Sequence, residues 1–150
     1  MRRWISLAVF LAISLGGGLL IGARNTPDDW YRGLAKPWFN PPDWVFAPAW
    51  TILYVLIAVA GWLVWRAGNR RALTAWGVQM ALNFLWSPLF FTAHATLPAL
   101  VVILGLLVAI LVFLTRTAIA ERGAFWCFLP YAVWVSYAAL LNGAIWRLNG

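Results

Sequence analysis

The sequence predicts an all-α membrane protein, a bundle of five transmembrane helices with a long aromatic first loop folded over one end. Three observations carry this expectation. The composition is 64% hydrophobic and 10% charged, a membrane balance. The charges sit in short clusters separated by long charge-free runs. Finally, most of the 12 tryptophans lie in those runs or in the one long connection between them, and Trp favours sites with an apolar side and a polar handle.

The charge-free runs are Ile5 to Ala23, Val45 to Trp65, Leu73 to Phe91, Leu97 to Leu114 and Phe125 to Trp146. Each offers the ~20 residues a helix needs to cross ~30 Å of hydrocarbon, with tilt absorbing differences in length. They occupy most of residues 1–150, so a single transmembrane domain is expected and no soluble one. The runs are continuously apolar, unlike the alternating strands of a β-barrel. The first run follows Met1-Arg2-Arg3 in the manner of a secretion signal. It is long for a signal core and Leu20-Ile21-Gly22-Ala23 lacks a small-x-small cleavage pattern, so it is read as a retained span.

Orientation follows from the basic residues. Arg2, Arg3, Arg66, Arg70, Arg71, Arg116 and Arg122 fall on one side, and Arg24, Arg32, Lys36 and Arg147 on the other. That places the amino terminus in the cytoplasm and the first loop outside. The net charge of +7 is accounted for by topology rather than by the contiguous basic face of a nucleic-acid binder. Anionic-lipid contact at Arg66 to Arg71 is compatible with it.

The first loop, Arg24 to Trp44, is about twenty residues long, which is unusual unless a loop is functional or disordered. Trp30, Tyr31, Trp38, Phe39 and Trp44 give it too much apolar surface for disorder. It is therefore read as an aromatic lid over one mouth of the bundle. Thr26 or Asp28 caps a short helix through Leu34, Lys36-Pro37 ends it, and Pro41-Pro42 stiffens the entry to the second span.

Within the spans, Phe46, Trp50, Tyr54 and Ile57 share a helix face, as do Gln79, Asn83, Trp86 and Phe90, and Tyr131, Trp134, Ala138, Leu141 and Asn142. Amides in hydrocarbon must face protein or a cavity, so Gln79, Asn83 and Asn142 point inward. Gln79 and Asn142 are read as interhelical hydrogen-bonding groups, and Asn83 as either that or a ligand contact. Trp4, Trp44, Trp65, Trp126 and Trp146 lie at span ends as interface anchors. Trp50 and Trp134 lie deeper and are assigned to a cavity. Pro88 removes a hydrogen bond to the Phe84 carbonyl and is expected to bend the third span, as Pro130 does the fifth. Ser14, Gly18 and Gly22 form a small-residue stripe for close helix approach, within the bundle or in a homodimer.

No Asp, Glu, Lys or Arg lies inside a run, which argues against proton relays and ion-coupled transport. His94 stands in the turn after the third span, a solitary and peripheral candidate for haem ligation, and is read as a polar turn residue. Cys127 is read as a small buried hydrophobe. Neither a metal constellation nor a nucleophile with its base can be drawn.

The run Trp30-Tyr31-Arg32-Gly33-Leu34-Ala35-Lys36-Pro37-Trp38-Phe39-Asn40-Pro41-Pro42 resembles the first loop of the TspO/MBR family, the tryptophan-rich sensory or translocator proteins. Pro48-Ala49-Trp50 with Leu53-Tyr54, Gln79 with Leu82-Asn83, Trp86 and Phe90-Phe91, and Pro130-Tyr131 with Trp134 and Leu141-Asn142 extend the resemblance over nearly the whole chain. It implies a five-helix bundle, commonly dimeric, with a pocket beneath the first loop for porphyrins such as protoporphyrin IX and haem. No cofactor is required. By position the implied pocket holds Trp50, Asn83, Trp134, Ala138 and Leu141, closed by Trp38, Phe39, Pro41, Pro42 and Phe46 from the loop side. Phe39 stands where relatives often have Trp, with Trp38 beside it. Leu141 to Arg147 lacks the Tyr before a basic residue of the animal sterol pattern, which argues against a sterol partner.

The function expected from these readings is a membrane receptor or sensor for porphyrins, with a role in tetrapyrrole regulation or transport. The alternatives are an enzyme for light-dependent oxidative degradation of protoporphyrin IX and a passive translocator of apolar ligands. Helical spans favour a bacterial inner membrane on physical grounds, while the resemblance also admits an outer one.

Overall fold

The computed structural model describes residues 2–150. It is all-helical, with no strand among the described residues. Helix α1 runs Arg2–Arg24 and contains a π-helical turn, Ala12–Gly16. The short α2 is Asp29–Arg32. A 3-10 turn, Asp43–Val45, leads into α3, Phe46–Arg66. Helix α4, Arg70–Ser87, continues as a second π-helical turn, Pro88–Thr92. Helices α5, Thr96–Thr117, and α6, Arg122–Asn149, complete the chain.

Most helices outrun the charge-free stretches that announced them. Arginine is a good helix former and its aliphatic stem lies on apolar surface while the guanidinium reaches water, so helical hydrogen bonding continues past the hydrocarbon edge. Among the described residues four helices, Arg2–Arg24, Asp43–Arg66, Thr96–Thr117 and Arg122–Asn149, are long and apolar enough to cross a membrane. The expected fifth, α4, is less apolar because it opens on Arg70-Arg71 and carries Gln79 and Asn83, both buried. Trp4, Trp44, Trp65, Trp126 and Trp146 are exposed at or near helix ends, where interface anchoring places them.

The long helices form a ring in which α1 neighbours α3, α3 neighbours α6, α6 neighbours α5, α5 neighbours α4, and α4 returns to α1. The centre is filled by Ile57, Phe113, Phe128, Tyr131 and Val135, with Phe113 and Phe128 stacked at a centroid distance of 3.9 Å. Helix α1 contributes one line of buried residues, Phe10, Ser14 and Gly18. Ser14 donates to the Tyr54 carbonyl at 2.8 Å, and a Cβ on Gly18 would sit 2.3 Å from the Tyr54 ring. At these two positions the small-residue stripe serves close approach within the chain. A dimer contact is not needed to explain it.

Pro88 has its effect on α4 by changing the helix type. The Ala93 amide donates to the Pro88 carbonyl five residues back, so the last turn widens instead of breaking. Pro130 lies inside α6 without interrupting it. At the opposite end of the bundle, Gly68 adopts φ +71 between α3 and α4. Asn69 then caps α4 through the Ala72 amide at 3.1 Å and donates to the Arg116 carbonyl at 3.1 Å, which pins the α3–α4 turn to the end of α5.

Gly61 lets α3 meet Trp76 of α4, whose indole N–H donates to the Ile57 carbonyl at 2.8 Å. A Cβ there would lie 2.5 Å from that hydrogen-bonded ring, whereas one on Gly77 meets nothing within 4 Å. Gly61→Ala is therefore expected to lower stability by about 1–3 kcal/mol, while Gly77→Ala leaves it unchanged or slightly raised. Thermal unfolding in one detergent checks both.

Candidate functional site

A chain of buried polar groups crosses the bundle. The Tyr54 hydroxyl of α3 donates to Asn83 Oδ1 at 3.0 Å. Asn83 Nδ2 donates to the Tyr131 hydroxyl of α6 at 2.7 Å, and that hydroxyl donates to Gln79 Oε1 at 2.8 Å. Gln79 Nε2 ends on the Met80 sulfur at 3.8 Å. Asn142 makes a second link, accepting from Trp86 Nε1 at 3.0 Å and donating to the Thr96 carbonyl at 2.9 Å. Gln79 and Asn142 thus tie helices together, as expected. Asn83 does this and also faces a cavity.

That cavity, about 330 Å3, lies between α1, α3 and α4 at the lid end. Its α3 wall is Phe46, Trp50 and Tyr54, and its α4 wall is Asn83, Trp86, Ser87 and Phe91. Trp50 lies nearly flat on Tyr54, with centroids 5.4 Å apart and planes at 27°. The α1 wall is built on Gly18 and Gly22. Ser14 and Gly18 seat α1 tightly against Tyr54 below, while a Cβ on Gly22 would meet only open space. The wall therefore diverges toward the lid. Leu19, Ala23 and Ala47, all exposed, form part of the lining, so the cavity opens sideways along the α1–α3 seam.

Phe46, Trp50, Tyr54 and Asn83, four of the expected residues, come together here. Trp134 stands behind the wall, edge-on to Trp50 at 6.3 Å and to Phe46 at 6.1 Å, and among the described residues its buried indole N–H has no hydrogen-bond partner. Ala138, Leu141 and Phe90 line a different gap of about 20 Å3, shared with Tyr31 and Asn142, room for about one water. The loop departs furthest from expectation. Trp38 is 94% exposed and meets Phe39 edge-on. The Tyr137 hydroxyl of α6 donates to the Phe39 carbonyl. This ties Phe39 to α6, and none of Trp38, Phe39, Pro41 and Pro42 lines the cavity. Asn25, Thr26, Pro27 and Asp43, the two ends of the loop, cover it instead. The sequence marked Gly18 and Gly22 as a small-residue stripe, but gave no sign that the upper end of that stripe bounds a cavity.

The lid is held at several points. Asp28, rather than Thr26, caps α2, accepting from the Tyr31 amide at 3.1 Å. Its other oxygen meets His94 Nε2 at 3.3 Å, and Trp30 stacks on the His94 ring at 4.1 Å and 11°. His94 has φ +54, a left-handed turn conformation in which His is enriched over most residues. It is a lid contact as well as a turn residue. Tyr31 is buried against Phe90 and Phe91, with Lys36 Nζ 4.6 Å from its ring centroid. Burial pushes the Tyr31 phenol above its ordinary pKa. Asn149 clamps Ala35, accepting from its amide at 3.0 Å and donating to its carbonyl at 2.9 Å.

Two outcomes test this arrangement. Replacing Asn83 by Leu strands the Tyr54 hydroxyl and is expected to cost about 1 kcal/mol. A double-mutant cycle with Tyr54→Phe should show coupling between the two positions. The second test concerns pH. The Tyr31 amide, ahead of the His94 contact, holds the Asp28 carboxyl below its ordinary value. A depressed folded pKa means that the cap is fully engaged above about pH 4 and is lost as pH falls through the lowered value. Hydrogen exchange at the Tyr31 amide should accelerate, relative to helical amides, over that acid range. Asp28→Asn, which retains a cap acceptor, should abolish the pH dependence.

A family model described as the TspO/MBR family matches residues 6–147. The chain is similar to the Tryptophan-rich sensory protein of Cereibacter sphaeroides, 39% identical over 97% of this chain and 92% of that protein. It is similar to the Tryptophan-rich protein TspO of Archaeoglobus fulgidus, 36% identical over 96% and 94%. It also matches the Translocator protein of Homo sapiens, 32% identical over 97% and 91%. With several helices apolar and long enough to cross a membrane, and a family model matching nearly the whole chain, the protein is an integral membrane protein and belongs to the TspO/MBR family.

Proposed function

We propose that the protein is a membrane receptor or sensor that takes porphyrins, such as protoporphyrin IX or haem, into the cavity between α1, α3 and α4. The observation that carries this reading is the aromatic wall formed by the Trp50–Tyr54 stack facing Asn83. An apolar pocket with a few polar orienting groups suits a flat, mostly apolar ligand with a polar edge. Asn83 commits one N–H and one lone pair to its neighbours, leaving one of each for a ligand. A volume of about 330 Å3 is at the small end for ligand sites, so part of a macrocycle would project through the seam between α1 and α3. A free-base porphyrin needs no axial ligand, and no separate cofactor enters this reading. Relatives carry the names sensory protein and translocator protein, which accord with ligand reception or movement.

In this reading the amino terminus is cytoplasmic and the lid is on the far side of a bacterial inner membrane, following the arginine distribution. A homodimer, implied by the family resemblance, would use a face other than Ser14 and Gly18, which Tyr54 already covers.

A second reading, light-dependent oxidative degradation of protoporphyrin IX, draws support from the edge-on contact of Trp50 with Trp134 and the proximity of Tyr131 and Tyr137 to that pair. These rings form a path from the cavity wall into the protein along which an aromatic radical can be shared. The sideways mouth would equally serve passive movement of an apolar ligand.

Protoporphyrin IX is expected to quench tryptophan fluorescence saturably, and Trp50→Phe/Trp134→Phe to weaken binding roughly tenfold, the scale of one lost aromatic contact. Unchanged affinity in the double variant overturns the site. Illuminated porphyrin loss that is faster with the parent protein than with this variant supports the second reading, and equal loss refutes it.

A further inference from the structure

At the end of the bundle opposite the lid, a groove runs along the outer face of α4 and α5. Its floor is small, formed by Ala75, Gly105 and Ala109, and its flanks are the exposed Val78, Val108 and Val112. The two helices are antiparallel, so Arg71 at the start of α4 and Arg116 at the end of α5 converge on the same end of the groove. Both arginines are exposed, and among the described residues neither takes part in a salt bridge. Charges at this end are one-sided. Arg2, Arg3, Arg66, Arg70 and Arg122 accompany them, against the carboxylate of Glu121, which accepts from Asn69 at 3.2 Å.

From this arrangement we infer that the groove is a binding site for one anionic phospholipid of the adjoining leaflet. Its phosphate sits between Arg71 and Arg116, and one acyl chain lies along Ala75, Gly105 and Ala109. Length supports this occupant. Gly105 to Arg116 spans eleven helical steps, about 16 Å at 1.5 Å per residue, close to half of a ~30 Å hydrocarbon core. Charge supports it too, since basic pockets between membrane helices on the cytoplasmic side suit anionic headgroups. A free anion has no use for the apolar length below the arginines. A second copy related by an axis along the membrane normal would bring this cationic groove end against its own counterpart, an unfavourable like-charge contact. The site is remote from the lidded cavity and does not depend on that cavity's ligand.

The test is native mass spectrometry of the full chain released from neutral detergent containing equal amounts of phosphatidylglycerol and phosphatidylcholine. The parent protein should retain one phosphatidylglycerol in preference. Arg71→Gln/Arg116→Gln should reduce the preference roughly tenfold, Arg71→Lys/Arg116→Lys should keep most of it, and Arg66→Gln/Arg122→Gln should leave it in place. Gly105→Leu fills the groove, and because a Cβ there meets its nearest neighbour at an ordinary 3.7 Å, the variant should melt with the parent while losing the lipid. Equal loss in the Arg66/Arg122 variant would reduce the effect to a general basic field and overturn the site. So would lipid retention unaffected by Gly105→Leu, including the case in which that substitution changes the oligomeric state.

Discussion

An amide surrounded by hydrocarbon has no water to turn to, so its donors and acceptors must be met by the protein at fixed distances and angles. Asn83 meets this constraint by accepting from Tyr54 of α3 and donating to Tyr131 of α6, with Gln79 closing the chain. Three helices are thereby held at a common depth and rotation. Much else follows from that registration. Tyr54, fixed at its hydroxyl, presents its ring edge to Gly18 and its backbone carbonyl to Ser14, which seats α1. The same ring supports Trp50 from below. The aromatic wall of the cavity is thus an indirect product of satisfying one buried amide.

The lid illustrates a different balance. Its regular helix is a single turn, too short to be stable alone, and its order comes from side chains that reach elements distant in the chain. Asp28 and Trp30 meet His94, Tyr31 fills a space above Phe90 and Phe91, and Asn149 holds Ala35. These anchors all lie over α4, α5 and α6. The ends of the loop, rather than its tryptophan-rich middle, are left over the cavity, which opens along the α1–α3 seam.

Composition and spacing made the helical bundle, the inward amides and the five interfacial tryptophans legible, because each rests on a local requirement: span length, polar satisfaction, or an indole at the interface. The two π-helical turns were less legible. Pro88 marks a bend in the sequence and stands at a π-helical turn in the structure, while Ala12–Gly16 carries no comparable mark. The candidate site was legible by helix face. Phe46, Trp50 and Tyr54 share a face and share the cavity, as periodicity suggested. Trp134, Ala138 and Leu141 also share a face, yet they stand behind the wall or around the smaller gap, since periodicity says nothing about which neighbour a face will meet.

The sequence by itself determined an all-helical membrane chain, the approximate span positions, and the need for Gln79, Asn83 and Asn142 to turn inward. Those follow from the cost of exposing charge or unpaired polar groups to hydrocarbon, a cost each segment bears alone. Only the tertiary structure decided that Gly18 and Gly22 bound the cavity, that Trp38 faces solvent, and that His94 is a lid contact. Those depend on pairings such as Asp28 with His94, 66 residues apart, and Ala35 with Asn149, 114 apart. Helical periodicity repeats every few residues and carries no information over such separations, so these positions were fixed when the helices packed and the loop found its anchors.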